Sequence, residues 1–236
     1  MRSKKIEYLG WDSTFFSRKI GQCCANTVFD LETVLSNARK EGYALIYVFG
    51  DENFYINENL LLQFNGHLAD RKVLYEKVIE SLKEQSTAIS EYDNDELTFE
   101  LEQLAYESGK YSRFKLDENF QKDDFYRMYK TWIENSIKKQ IADYVFVAKE
   151  RNCIRGMATL KIDVKKGHIG IIAVLPDAQG KGYGKSLIAA CENELFRRGI
   201  FRLEVPTQAD NIQACNFYKK CGFEIKKTTF VYHFWL

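Results

Sequence analysis

A chain of 236 residues, 45% hydrophobic and 28% charged, has the composition of an ordinary globular protein with apolar material for one large core or two small ones. Lys and Arg total 34 against 33 for Asp and Glu, a balance that argues against nucleic acid or an anionic membrane as the main partner. Met1 to Glu7 lacks the apolar segment of a signal peptide, and no apolar run approaches the ~20 residues of a membrane span, so a cytoplasmic protein is expected.

Residues 4–9 read as a short strand, followed by a loop-like stretch from Gly10 to Phe16. Its rings, Trp11, Phe15 and Phe16, suit either a hydrophobic staple or a surface on which a ring stacks, and packing is the preferred reading. Leu31, Val34, Leu35 and Ala38 share a helical face that ends near Gly42, and Tyr43 to Phe49 reads as a buried strand. A short helix near residues 57–65 and the alternation from Lys72 to Val78 complete a small α/β unit over residues 1–90. The polar, acidic stretch Ser86 to Asp95 reads as a linker to a second domain, residues 96–236.

In that second part Leu97, Leu101, Leu104 and Ala105 form one helical face, which stops at Ser108-Gly109. The next loop carries Tyr111, Ser112, Arg113 and Phe114. It suits a solvated loop, or a polar and stacking site for a charged sugar, since a guanidinium recognises phosphate through planar, bidentate hydrogen bonds. Phe125, Met128, Tyr129, Trp132 and Ile133 line a helix, and Tyr144–Ala148 with Met157–Ile162 form a hairpin around Arg151-Asn152. Ile169 to Val174 is a buried strand, and beyond it Leu187, Ile188, Cys191 and Leu195 recur at helical spacing up to Arg197-Arg198-Gly199. Ile200 to Val205 is a strand, and Pro206 predicts that strand partners separate there, because proline cannot donate to a ladder. Asp210 or Asn211 caps the last helix, Ile212 to Cys221, which Gly222 ends, and a final antiparallel pair begins at Phe223. The six cysteines show no C-x-x-C spacing and no ligand pattern with the three histidines, so reduced cysteines and no metal are expected.

Between the strand ending at Val174 and its helix lies Gln179-Gly180-Lys181-Gly182-Tyr183-Gly184-Lys185. Strand, glycine loop and helix aim unpaired N–H groups at an anion, and glycines let that anion approach the main chain. A dinucleotide fingerprint needs a third glycine where Lys185 stands, and a P-loop needs a glycine where Gln179 stands. What remains, Gln179-x-x-Gly182-x-Gly184, resembles the Q/R-x-x-G-x-G/A signature of GCN5-related N-acetyltransferases (GNATs), whose loop amides hold the pyrophosphate of coenzyme A. A glycine-rich turn without a ligand is the plain alternative.

From residue 120 the order is helix, three strands, helix, strand, helix, strand, a mixed α/β sheet with helices on both faces. With Asn211-x-x-Ala214-x-x-x-Tyr218-x-x-x-Gly222-Phe223 this order also resembles the GNAT fold. The resemblance implies two splayed central strands with the pantetheine arm of acetyl-CoA between Ile171–Val174 and Leu203–Thr207. It implies donor contacts at Ile172, Ala173, Val174, Gln179, Gly180, Lys181, Gly182, Tyr183, Gly184, Lys185, Asn211, Ala214 and Tyr218. It further implies direct attack of a neutral amine on the thioester, an oxyanion held by N–H groups near Ile172 to Val174, and Tyr218 as general acid. The base is left open among a water, Asp117 and Glu204, and His168 and His233 are equally open to a structural reading.

A closer resemblance is to the TDP-fucosamine acetyltransferase group. It is carried by Trp11-Asp12-Ser13-x-Phe15-Phe16, Leu104-Ala105-x-x-Ser108-Gly109-x-Tyr111-Ser112-Arg113-Phe114, Trp132-Ile133-x-x-Ser136 and Val205-x-Thr207-Gln208-x-x-Asn211. It implies a TDP-linked 4-amino-4,6-dideoxyhexose as acceptor, a precursor of surface polysaccharide, and a degenerate N-terminal unit. Trp11, Phe15, Phe16, Tyr111, Ser112, Arg113, Phe114, Thr207 and Gln208 are the implied sugar contacts, and a homodimer is compatible with it. An acetyltransferase for a protein or another small amine stays open, as does a non-catalytic acyl-CoA-binding module.

Overall fold

The computed structural model describes residues 6–24 and 31–236, so residues 4 and 5 of the expected first strand lie outside the described residues. The chain forms two compact units, residues 1–73 with 227–236, and residues 74–226. No helix among the described residues is long and apolar enough to cross a membrane.

The first unit contains β1 (Glu7–Tyr8), α1 (Gly10–Phe15), β2 (Ile20–Cys24), α2 (Leu31–Lys40), β3 (Leu45–Gly50) and α3 (Glu58–Gln63). β4 (Gly66–Val78) starts in it, and β10 (Glu224–Trp235) ends in it. β3 is apolar at nearly every position, as a strand covered on both faces should be. It pairs in parallel with β2, from Ile20↔Leu45 to Cys24↔Phe49, and antiparallel with β10, from Phe230↔Gly50 to Trp235↔Leu45. Leu31, Leu35 and Ala38 of α2 close the core over Ile46, Val48 and Phe234.

The stretch Gly10 to Phe16, expected as a loop, is largely the helix α1. Aromatics carry weak helix propensity, and the tertiary setting overrides it. The Ser13 hydroxyl accepts from the Ile20 N–H at 2.9 Å, which ties the helix to the start of β2. Trp11 and Phe15, one turn apart, stack at 4.9 Å.

The second unit contains β5 (Ile89–Glu91), α4 (Phe99–Ser108), α5 (Arg113–Leu116), α6 (Lys122–Ile137), β6 (Tyr144–Glu150), β7 (Cys153–Ile162), β8 (Gly167–Val174), α7 (Tyr183–Arg197), β9 (Arg202–Gln208) and α8 (Ile212–Lys220). Its strands run β5-β6-β7-β8-β9, antiparallel except for the parallel β8–β9 pair. The acidic stretch expected as a linker thus carries β5, with Ile89 opposite Ala148. The β6–β7 turn places Arg151 and Asn152 at φ 49° and 67°, the left-handed pair that matches strand twist in a two-residue hairpin.

Helices cover both faces of this sheet. Leu101, Leu104, Phe125 and Ile133 of α4 and α6 pack on Met157, Ile171 and Ala173. α7 lies on the opposite face, where Gly156 has no side chain and Leu187 Cδ1 would sit 3.3 Å from an added Cβ. β8 and β9 pair only at Gly167↔Leu203 and His168↔Glu204. The last pair lies two residues before Pro206, so the partners have separated by the proline as expected, while β9 continues as a strand through it to Gln208. The continuation to Gln208 corrects the expectation that the strand ends at Val205.

Candidate functional site

The site begins with an irregularity in β8. Leu160 faces Ile169 and Ala158 faces Ile172, so Gly170 and Ile171 together oppose Thr159. This extra residue is a β-bulge, which disrupts the ladder and re-aims the backbone. The buried Thr159 hydroxyl fills the break by accepting from the Ile171 N–H at 2.9 Å. Beyond it Ala173 is buried, while Ile172 and Val174 are half-buried on the other face.

The turn after Val174 is held by Leu175 N–H donating to the Arg155 carbonyl at 2.8 Å, then by a 3₁₀ turn, Pro176–Ala178. The Gln179 side chain donates to the Val174 carbonyl at 3.1 Å and accepts from Gln213 Nε2 at 2.8 Å, joining the strand end to α8. Gly180 and Gly182 take φ of 80° and 86°, and no atom lies within 4 Å of an added Cβ at either. Their glycine identity answers to backbone conformation and open space. Gly184 differs, since its Cβ would lie 3.0 Å from the Phe217 ring.

Gly182 caps α7 with no side-chain hydrogen bond, and Ser186 N–H makes the first helical bond, to the Gly182 carbonyl. The N–H groups of Gly182, Tyr183, Gly184 and Lys185 thus have no acceptor in the helix and sum with its dipole. Of the two lysines here, Lys181 is held by both Glu150 oxygens at 2.9 and 3.0 Å, and this pairing keeps the Glu150 carboxyl below its usual range. Lys185 is exposed.

Across the splay, Thr207 is buried and Gln208 half-buried at the end of β9, where the Gln208 carbonyl accepts from Asn211 N–H at 3.0 Å. The Asn211 side chain accepts from Ala214 N–H at 3.1 Å and so caps α8. Tyr218, two turns on, is only 4% exposed and packs on Tyr75 and Phe223 with ring centroids 5.5 and 5.8 Å away. Burial pushes its phenol up, with Cys215, Cys221 and Tyr75 adding to the effect, so it holds its proton at neutral pH. Burial and a hydrogen bond with Cys215 push Tyr75 up to about 12.

The implied sugar contacts are divided between the two units. Phe114 is buried against Phe120 and Trp132, and the Arg113 guanidinium lies 4.7 Å from the Phe114 ring centroid. Tyr111 is half-buried, and Ser112 opens the short helix α5 where a loop was expected. Ser112 Oγ is buried without a hydrogen-bond partner among the described residues. Trp11 and Phe15 belong to α1 of the other unit and Phe16 follows it, with Trp11 47% exposed and Phe16 buried.

A second charged cluster, at the start of β8, has no local signal in the sequence. Glu204 is 1% exposed and meets Lys226 at 2.5 Å, Lys166 at 2.9 Å and His168 Nδ1 at 3.1 Å. Lys226 also meets Glu76 at 2.6 Å, and His168 Nε2 lies 3.0 Å from Asp163. An open hollow of about 520 Å³ near the same strand ends, lined by Glu91, Lys139, Asp143, Tyr144, Ile162 and Arg198, is neutralised by its own pairs, such as Lys139 with Glu91 at 3.2 Å.

Residues 98–223 match the model of the acetyltransferase (GNAT) family, more than half of the chain. The chain belongs to that family. Among relatives of this GNAT, a mycothiol acetyltransferase of Saccharomonospora viridis is 38% identical over 66 residues, 28% of this chain and 22% of the relative. N-alpha-acetyltransferase 30 of Schizosaccharomyces pombe is 25% identical over 115 residues, 47% of this chain and 77% of the relative. The chain thus spans between 18% and 38% of the length of these mycothiol acetyltransferases. Two solved structures share the GNAT's fold. A GCN5-related N-acetyltransferase from Sphaerobacter thermophilus aligns with TM-score 0.58 at 14% identity, covering 97% of this chain and 75% of its own. A conserved protein of unknown function from Staphylococcus epidermidis aligns with TM-score 0.66 at 15% identity, covering 100% and 92%.

Proposed function

We propose that this GNAT transfers the acetyl group of acetyl-CoA to the amine of a TDP-linked amino-dideoxy sugar, with residues 96–236 as its acetyltransferase domain and residues 1–90 as a degenerate companion. The observation that carries the acetyl-CoA part is the pairing of uncapped N–H groups at Gly182–Lys185 with an adjacent parallel strand pair that loses contact after His168↔Glu204. The first suits a pyrophosphate. The second leaves a slot for an extended arm that hydrogen-bonds a strand edge.

The amine attacks the thioester carbonyl directly, and holding both reactants together supplies much of the rate. Backbone N–H groups near Ile172 to Val174, past the bulge, stabilise the oxyanion. The departing thiolate takes its proton from Tyr218, whose burial keeps the phenol protonated. The sugar reading is supported by Arg113, the buried unpartnered Ser112 hydroxyl and the aromatic packing around Phe114. A peptide amine is the second reading, supported by the match to 77% of the Schizosaccharomyces pombe N-alpha-acetyltransferase. Thiol release measured with acetyl-CoA and each acceptor class decides between them: rapid acetylation of a peptide with inert TDP-amino sugars would sink the sugar assignment.

A further inference from the structure

We propose that the Thr159 hydroxyl is a positioning group for acetyl transfer: by capturing the Ile171 N–H it fixes which β8 amides face the open edge. The proposal rests on the acetyl-transfer reading above and is independent of which amine is used.

In an antiparallel pair, successive residues turn their N–H and C=O groups alternately toward the partner strand and away from it. Leu175 N–H donates to the Arg155 carbonyl at 2.8 Å, so Leu175, and with it Ala173 and Ile171, faces β7. Ile172 and Val174 then face the other edge. On the near side of the bulge, the Leu160 carbonyl accepts from Asp143 N–H at 2.8 Å, which turns it toward β6. Its β8 partner Ile169 is therefore also turned away from β7. In a regular strand the outward set would continue from Ile169 through Ile171 and Ala173. The extra residue at Gly170–Ile171 shifts the phase by one and makes Ile172 and Val174 the outward pair. The edge they face is the one where β8–β9 pairing has ended, at His168↔Glu204.

The shift takes the Ile171 N–H out of the regular ladder, and a side chain receives it: Thr159 Oγ1, at 2.9 Å. Thr159 is 2% exposed and Ile171 5%, so water is not at hand to replace that acceptor. Gly170 admits the hydroxyl, since an added Cβ there would lie 3.1 Å from Thr159 Oγ1. Branching at the Thr159 Cβ restricts χ1 and keeps the oxygen aimed. Ile171 and Ala173 side chains in the core under α4 and α6 hold the strand as a whole. The hydroxyl holds the peptide plane between Gly170 and Ile171, directly before the Ile172 donor.

That donor is where charge develops. Attack of the amine forms the N–C bond and moves the carbonyl electron pair onto oxygen, which outward N–H groups, Ile172 first, stabilise. The C–S bond then breaks and the thiolate takes the Tyr218 proton. The amine releases its proton to solvent, and solvent returns one to Tyr218. Thr159 touches none of the reacting atoms and acts through the backbone it holds.

Two measurements test it. In wild-type protein without acceptor, amide hydrogen exchange should be slower at Ile171 than at Ile172, and acetyl-CoA should slow Ile172. Exchange at Ile171 as fast as at Ile172, or an Ile172 amide indifferent to bound acetyl-CoA, overturns the proposal. With acetyl-CoA and whichever acceptor class wild type acetylates, Thr159→Val should lower kcat about a hundredfold, the scale of one lost oxyanion donor. The KM for acetyl-CoA should stay close to wild type, and Thr159→Ser, which keeps the acceptor, should recover most of the rate. Equal losses in folded Thr159→Val and Thr159→Ser, a loss confined to KM, or wild-type turnover in Thr159→Val overturns it. Should Thr159→Val not fold, the wild-type exchange pattern still decides. If wild type binds acetyl-CoA but acetylates neither acceptor class, the transfer reading fails alone, and the same exchange pattern decides whether Thr159 sets the outward amides.

Discussion

The two ends of β8 handle polar groups in opposite ways. At the Val174 end, main-chain N–H groups of Gly182 to Lys185 are left unpaired at an exposed helix start, surrounded by glycines that keep the approach open. At the His168 end a carboxylate is sealed in, Glu204 at 1% exposure, and is matched by two lysines and an imidazole. Neutral dipoles at an open edge can wait for an anion at little cost, because water solvates them meanwhile. A buried charge cannot wait, so its partners must be built in. One end leaves donors open to an incoming anion, and the other fixes the register in which β8 and β9 pair.

Breaking the closed end should have the largest consequence for folding. Glu204→Ala removes the acid that Lys166 and Lys226 share, and losing its two charge-assisted hydrogen bonds should cost about 3 kcal/mol. Chemical denaturation should show it, and a loss near zero would mean that the cluster is solvated. The pH dependence has a definite sign. Glu204 sits below its ordinary carboxyl value in the folded chain, so its contribution is present above the unfolded pKa, near pH 4–5, and disappears as pH falls through the lower folded value. Glu204→Gln should flatten that part of the acid melting curve.

At the open end, Gly182→Asp forces a side chain into φ 86° and adds negative charge where the pyrophosphate is expected. Acetyl-CoA affinity by calorimetry should fall by about a hundredfold, some 2.7 kcal/mol, in a variant that still folds. Unchanged affinity would remove the loop from the donor site. Tyr218→Phe sharpens the contrast between binding and chemistry. Turnover should drop about a hundredfold with donor affinity near wild type, since the lost proton acts only in the transition state. Wild-type turnover would return Tyr218 to the core. The smallest effect is expected from Glu150→Gln, which frees the exposed Lys181 beside the loop. Melting temperature should not move, and acetyl-CoA should bind slightly tighter with a steeper salt dependence.

How far each region was legible follows from the same contrast. Gln179, Gly182 and Gly184 lie within six residues, and their spacing alone separates this loop from the dinucleotide and P-loop patterns. The Arg151-Asn152 turn and the helical faces of Leu101 to Ala105 and Leu187 to Leu195 were readable for the same reason, being local. α1 was misread because the tie that stabilises it, Ser13 to Ile20, depends on the chain folding back. Pro206, a local cue, marks correctly that the β8 and β9 partners have parted, but it does not end β9, which runs on to Gln208.

By itself the sequence determined the order of elements from α6 onward, the mixed sheet with helices on both faces and the glycine loop, because hydrophobic period and backbone conformation are properties of neighbouring residues. Tertiary structure alone decided the cluster on Glu204, whose partners come from Lys166, 38 positions away, and Lys226, 22 positions away. It also decided the bulge at Gly170–Ile171, which exists only relative to Thr159 on the next strand. Charge pairing and strand register act through space, and sequence distance does not record them.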